Sequence, residues 1–78
     1  MQTVSQLLEH KHHNTVYTIG QGRTALDAAE LMNRHRIGAL IVTDTLGHIA
    51  GIITERDILT RVVTERLDPA ATIVHDIM

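Results

Sequence analysis

Thr54, Arg56 and Asp57 stand within four consecutive positions, directly behind Gly51-Ile52-Ile53. A hydroxyl, a guanidinium and a carboxylate grouped in this way can hold a ribose and its phosphate. An ionised carboxylate accepts two hydrogen bonds well, and the vicinal hydroxyls of a sugar supply two donors at the right spacing. If a helix starts here, the positive end of its dipole and the free amides of residues 55–57 favour a phosphate. The same Thr-x-x-Asp spacing is a variant of the capping box, with the Thr54 hydroxyl accepting from the amide three residues on and Asp57 reaching back. Capping and ligand binding can share these residues.

The elements that must place these groups follow from hydrophobic period and turn chemistry. Residues 14–19 alternate loosely and are bounded by Gly20 and Gly22, which predicts a short strand and a turn. Thr24 then opens a helix with Leu26, Ala29, Met32 and Asn33 along one side and Ala25, Ala28 and Leu31 widening the stripe. Gly38 is expected to stop it. Ala39 to Thr43 is a continuous apolar run of strand length, and a second strand over residues 49–54 follows Asp44-Thr45-Leu46-Gly47-His48, whose Asp and Gly suit a hairpin. A second helix is expected over about residues 55–66, with Ile58, Leu59, Val62 and Val63 as its stripe and Asp68-Pro69 closing it. The order is strand, helix, strand, strand, helix: an α/β unit with a small sheet covered by two amphipathic helices.

Three blocks in this order and spacing carry a family resemblance. They are Thr24-Ala25-Leu26-Asp27-Ala28-Ala29-Glu30-Leu31-Met32, then His35-Arg36-Ile37-Gly38-Ala39-Leu40-Ile41-Val42, then Gly51-Ile52-Ile53-Thr54-Glu55-Arg56-Asp57-Ile58-Leu59. Together they closely resemble a CBS (cystathionine-β-synthase) motif over roughly residues 15–64. The resemblance implies the β-α-β-β-α fold and pairing of two motifs about a pseudo-twofold axis into a Bateman module. It implies a regulatory role through an adenosyl ligand: AMP, ADP or ATP, with S-adenosylmethionine or NAD also open. Carried over position by position, Thr54, Arg56 and Asp57 match the ribose and phosphate positions. Arg36 of the His35-Arg36 pair matches a phosphate contact, and Ile37, Gly38 and Ala39 match the lining of an adenine pocket. Thr15 and Tyr17 fall where residues entering the first strand touch the base. His35-Arg36 also has a structural role at a helix end, where cations compensate the dipole. The rival to ligand binding is a structural oligomerisation module with an empty cleft.

The expected organisation is an N-terminal helical or linker segment over residues 1–14, a CBS motif over residues 15–67, and over residues 68–78 a linker with the start of a possible second motif. Val4, Leu7 and Leu8 have helical spacing, and Val4-Ser5-Gln6-Leu7-Leu8 is echoed by Val74-His75-Asp76-Ile77-Met78. Because only one motif is present, two or more chains are expected to associate, as a homodimer or higher.

Composition narrows the function classes. With 78 residues and one aromatic, Tyr17, the core must be built from Ile, Leu, Val, Ala and Met, and a chain so short buries only about 60% of the surface its unfolded form exposes. There is no cysteine, hence no disulfide or thiolate metal site, which fits the cytoplasm. The net charge of −2 and the scattered cations disfavour extended nucleic acid. No apolar run approaches bilayer length, so no membrane partner is expected. Ser5 is the only serine and no carboxylate pair sits on a recognisable framework, so no catalytic residue is assigned and an enzyme is not expected. His10, His12 and His13 can chelate a metal only weakly on a loose segment; a solvated polar turn accounts for them, and no metal site is assigned.

Overall fold

The computed structural model describes residues 16–78. Its elements are β1 (Thr18–Gly20), α1 (Ala25–His35), β2 (Ala39–Thr43), β3 (Ile49–Thr54) and α2 (Glu55–Ile58). The last of these runs on as a π-helical stretch, Leu59–Val63, and a short α3 (Val74–Ile77) follows. The α/β unit and its β-α-β-β-α order are therefore present. The sheet order is β1-β2-β3, with β1 parallel to β2 and β2 antiparallel to β3. The parallel pair needs the α1 crossover, whereas the antiparallel pair needs only a hairpin. That hairpin closes through Asp44: its amide donates to the His48 carbonyl at 2.8 Å, and its Oδ1 accepts from the amides of Leu46 and His48 at 2.9 Å. Gly47, at φ 83°, supplies the left-handed residue the turn requires.

Side chains on a strand alternate between faces, which divides β2 and β3 cleanly. Leu40, Val42 and Ile53 point inward and are fully buried, and with Ile19, Ala25, Ala28, Met32, Val62, Val74 and Ile77 they form the core. Ile41 and Ile52 stand opposite each other on the outer face. No described element covers that face, and Ile52 keeps 54% of its surface.

Both helices differ in detail from the pattern read in the sequence. The buried line of α1 is Ala25, Ala28 and Met32, while Leu26 and Asn33 are exposed. The two alanines allow the helix to sit close to the sheet, so the face of closest approach is set by small residues and not by the largest apolar one. Gly38 does not stop α1. Arg36 does, in the left-handed region at φ 53°, with Ile37 N donating to Met32 O at 3.0 Å and Arg36 N to Asn33 O at 3.4 Å. These are the two bonds of a Schellman cap. The second helix is shorter than the expected 55–66 and ends in the π stretch, where Thr64 N reaches back five residues to Leu59 O at 2.9 Å. Its expected stripe splits: Val62 is buried and Ile58 packs on the core, whereas Leu59 and Val63 are 57% and 60% exposed. Adjacent residues on a helix are about 100° apart, and that rotation separates Leu59 and Val63 from the covered line of Ile58 and Val62.

Arg66 ends this helical segment as Arg36 ends α1, at φ 58°, with Leu67 N bonded to Val62 O at 2.9 Å. A left-handed residue with a Cβ is strained, and glycine is not. Arg66→Gly should therefore stabilise the fold by about 0.5–1 kcal/mol, read as a higher urea midpoint at unchanged slope; a lower midpoint would contradict this cap.

Residues 68–78 fold back onto α1. Ala25 N donates to Thr72 O at 2.7 Å, Leu26 N to Pro69 O at 3.0 Å and Val74 N to Arg23 O at 2.8 Å, and Thr24 forms a bridge with Ile73. The first amides of α1, otherwise orphans, are satisfied in this way. Val74 and Ile77 then enter the core, and the Met78 methyl lies 2.8 Å from where a Cβ on Gly51 would stand. Gly51 thus leaves room for that side chain. The first strand covers Thr18–Gly20, meeting the expected 14–19 region only at Thr18 and Ile19 and taking in Gly20, which was expected to bound it, and the segment carrying Val4, Leu7, Leu8 and the His10, His12 and His13 cluster lies outside the described residues.

Candidate functional site

The β3-α2 junction is closed by a complete capping box. Thr54 is the N-cap in extended conformation, its Oγ1 accepting from Asp57 N at 3.2 Å. Asp57 Oδ2 accepts from Thr54 N at 2.8 Å and from the Thr54 hydroxyl at 3.0 Å. This corrects one expectation, that the amides of residues 55–57 are free. Asp57 N is held by Thr54, and Glu55 N donates to Gly38 O at 3.0 Å. Among the described residues Asp57 Oδ1 carries no hydrogen bond, so one carboxylate oxygen stays open.

The Glu55–Gly38 bond has a further consequence: it ties the second block of candidate residues to the third. Ala39 pairs with Thr54 across the ladder, and the Glu55 side chain leans over Gly38, where a Cβ would stand 3.2 Å from Glu55 Oε1. Gly38 is thus a close-approach glycine. Ile37 packs against the core, and Arg36, exposed at the end of α1, projects beside it. Arg36, Ile37, Gly38 and Ala39 therefore meet Thr54 and Asp57 at one end of the sheet. Arg56 is exposed on the same first turn, its carbonyl accepting from the Thr60 hydroxyl at 2.8 Å.

Tyr17 is placed differently. It lies two residues before the buried Ile19 and so shares its inward face, whereas Ala39 and Thr54, each next to a buried residue, point outward. The Tyr17 ring packs on the core and stacks on the His35 imidazole, with centroids 3.9 Å apart and planes inclined by 23°. Thr15 lies outside the described residues.

Two grooves flank these residues. One, of about 470 Å³, runs between α1 and α2 and is lined by Ala29, Met32, Arg36, Ile37, Glu55 and Leu59 among others. It takes in Arg36 and Ile37 but not Thr54 or Asp57. The other, of about 330 Å³, lies along β1 and carries Arg23, Asp27, Glu30 and Arg34. Glu55 was not singled out from sequence. Its position as the first residue after the cap is the only local signal it had, because its contact with Gly38 spans two blocks.

Thr24 and Asp27 repeat the capping box at the start of α1, with Asp27 N to Thr24 Oγ1 at 3.1 Å and Thr24 N to Asp27 Oδ2 at 3.3 Å. The hydrogen bonds from Thr24 hold the Asp27 carboxyl below its ordinary range, and Arg23, with Nε 3.2 Å from Oδ2, adds to the effect. This second box lacks the Gly38–Ala39 neighbour, which makes it an internal control for capping alone.

Residues 4–64 match the model of the family described as "CBS domain". The chain is 41% identical over 61 residues to the CBS domain-containing protein CBSCBSPB2 of Arabidopsis thaliana, covering 78% of this chain and 11% of that protein. It is also 41% identical over 56 residues to an uncharacterised 17.7 kDa protein of Acidianus ambivalens, covering 72% and 32%. The chain thus spans a third or less of these relatives. Among solved structures, a signal-transduction protein with CBS domains from Burkholderia ambifaria, titled putative, superposes with a TM-score of 0.84 at 40% identity, over 99% of this chain and 57% of that one. A hexameric CBS-CP12 protein from bloom-forming cyanobacteria superposes at 0.73 with 36% identity, over 82% and 38%. Among the described residues no helix is long and apolar enough to cross a membrane.

Proposed function

This chain belongs to the CBS domain family, and from that membership we propose that it is a regulatory module, not an enzyme, that binds an adenosyl nucleotide where two motifs meet. AMP, ADP or ATP fits the arrangement best, and S-adenosylmethionine and NAD share the adenosyl group. The observation that carries this reading is the convergence of Arg36–Ala39 with Thr54–Asp57, tied by the Glu55–Gly38 bond, with Asp57 Oδ1 open. Asp57 takes the ribose diol, Arg36 and Arg56 compensate phosphate charge, and the backbone around Ile37, Gly38 and Ala39 lines the base. The partner is a second motif from another chain, seated on the outer sheet face at Ile41 and Ile52. Ligand in the seam favours one arrangement of the pair over another, and that population shift is the signal. Such a module works in the cytoplasm, without nucleic acid or membrane.

A second reading is supported by Asp57 Oδ2 being fully engaged in its cap, just as Asp27 is in the twin box. On that reading the cleft stays empty and the chain serves assembly alone. Melting curves with ATP, AMP and S-adenosylmethionine separate the two, since a ligand that binds only the folded state contributes about 2.7 kcal/mol at a hundredfold excess over Kd. Asp57→Ala should lose about 1 kcal/mol from the cap and abolish the ligand-induced rise. Asp27→Ala should lose its own cap and keep the rise. A rise that survives undiminished in Asp57→Ala overturns the ribose assignment, and the absence of a rise with all three ligands favours the assembly reading.

A further inference from the structure

The outer sheet face has two unlike ends. Strand alternation puts Ala39, Ile41 and Thr43 of β2 on it, opposite Thr54, Ile52 and Ile49 of β3. Ile49 comes to this face because the register jumps from Gly51 to Ile49 at the bulge beside Val42 and Thr43. At the site end stand the small pair Ala39 and Thr54; at the hairpin end stand Thr43 and Ile49, the latter 73% exposed. None of the six is charged, and both hydroxyls are already engaged: Thr43 Oγ1 donates to Ile19 O at 3.4 Å and Thr54 Oγ1 to Asp57 Oδ2 at 3.0 Å. Covering the strip therefore strands no charge and no side-chain donor. The cover that suits it is an equally neutral strip, and a second copy supplies one.

Two copies of one face meet about a twofold axis that lies in the plane between them. With Ile41 and Ile52 at the centre, that axis runs either along the strands or across them. Along the strands, it sets like end on like end: Ala39 and Thr54 meet the same small pair and leave a gap, while Thr43 and Ile49 crowd the other end. Across the strands, it sets each site end on a hairpin end, Ala39 on the partner's Thr43 and Thr54 on the partner's Ile49. Every such contact joins a smaller side chain to a larger one. Packed sheets lie about 10 Å apart and interiors leave few voids, so the second arrangement closes evenly and the first does not. We infer that two chains pair with their strands opposed, so that the partner's Ile49 closes over the Thr54 end of the sheet, where Asp57 stands. Ile49 does not do this within its own chain, because five residues of strand, about 17 Å, separate it from Thr54.

This orientation rests on the pairing proposed above, and not on the nucleotide. The chain has no cysteine, so a single introduced thiol reports where the partner lies. Ala39→Cys marks the site end and Ile49→Cys the hairpin end; each full-length variant is treated with a short bis-maleimide, alone and after exchange in an equal mixture. Opposed strands hold the two copies of position 39 about 14 Å apart along the strand, and the two copies of position 49 are separated in the same way. Neither variant should link to itself. The mixture should link up to about half of its pairs, the share that random exchange makes mixed. A doubled mass from Ala39→Cys alone overturns the orientation and leaves pairing by this face standing. No link in any sample overturns it as well, and sedimentation of the same samples then separates the causes: a two-chain mass means pairing by another face, and a single-chain mass means that the pairing itself has failed.

Discussion

Leu40→Ala should cost about 3 kcal/mol of folding stability, the usual loss when a leucine is removed from a rigid core. Leu40 is 1% exposed, lies on the central strand, and pairs in register with Ile53, which is also fully buried. Removing its branch leaves a cavity between sheet and helix, and the small residues Ala25 and Ala28 already in place have no side chain with which to fill it. A domain of this length has a total stability on the order of 5 kcal/mol, so the variant should keep less than half. Urea denaturation followed by far-ultraviolet circular dichroism measures this directly. Leu40→Met, which preserves volume, should lose less than about 1.5 kcal/mol. An unchanged midpoint for Leu40→Ala would place the core elsewhere.

The second large effect concerns assembly. Ile52→Asp should leave the isolated fold nearly intact, since Ile52 is half exposed and loses mainly its cross-strand contact with Ile41, worth about 0.2–1 kcal/mol. Association should respond far more strongly. A twofold interface contains each substitution twice, and each buried carboxylate there has no cation to pair with on the outer face formed by Ala39, Ile41, Ile52 and Thr54. A loss of at least 2 kcal/mol is expected at a central position, or about a thirtyfold rise in the dissociation constant. The mutation in this way separates folding from pairing. If both properties fall together, the outer face belongs to the fold and not to an interface.

What was legible in the chain was local. Ala39–Thr43 and Ile49–Thr54 stood out because an apolar run of strand length is followed by Asp and Gly at hairpin spacing, and the structure places both strands there. The Thr54 box was legible because Thr-x-x-Asp is a four-residue signal. The same signal at Thr24 and Asp27 was equally available. What could not be read depends on distance or on an improbable backbone. Arg36 and Arg66 end their helices in a conformation that sequence reasoning reserves for glycine, so Gly38 drew the assignment that belonged to Arg36. The docking of Val74 and Ile77 into the core, and of Met78 against Gly51, joins residues far apart in the chain. The stack of Tyr17 on His35 does likewise.

The site has the same division. Arg36–Ala39 and Thr54–Asp57 were recognised as two blocks, but the bond that joins them runs from the Glu55 amide to the Gly38 carbonyl. Neither residue type announces such a bond, because every residue but proline can donate through its backbone and every residue can accept. Its existence follows only from the register of β2 against β3, which sets Ala39 opposite Thr54.

Sedimentation equilibrium of the wild-type chain at micromolar concentration bears most directly on the idea that one motif is incomplete alone. The half-exposed Ile52 on the outer sheet face, beside Ile41, and the small interior lead us to expect a mass of two or more 8.7 kDa chains. A single-chain mass across the whole concentration range, from a sample that still unfolds cooperatively, would contradict that idea and remove the seam proposed for the nucleotide.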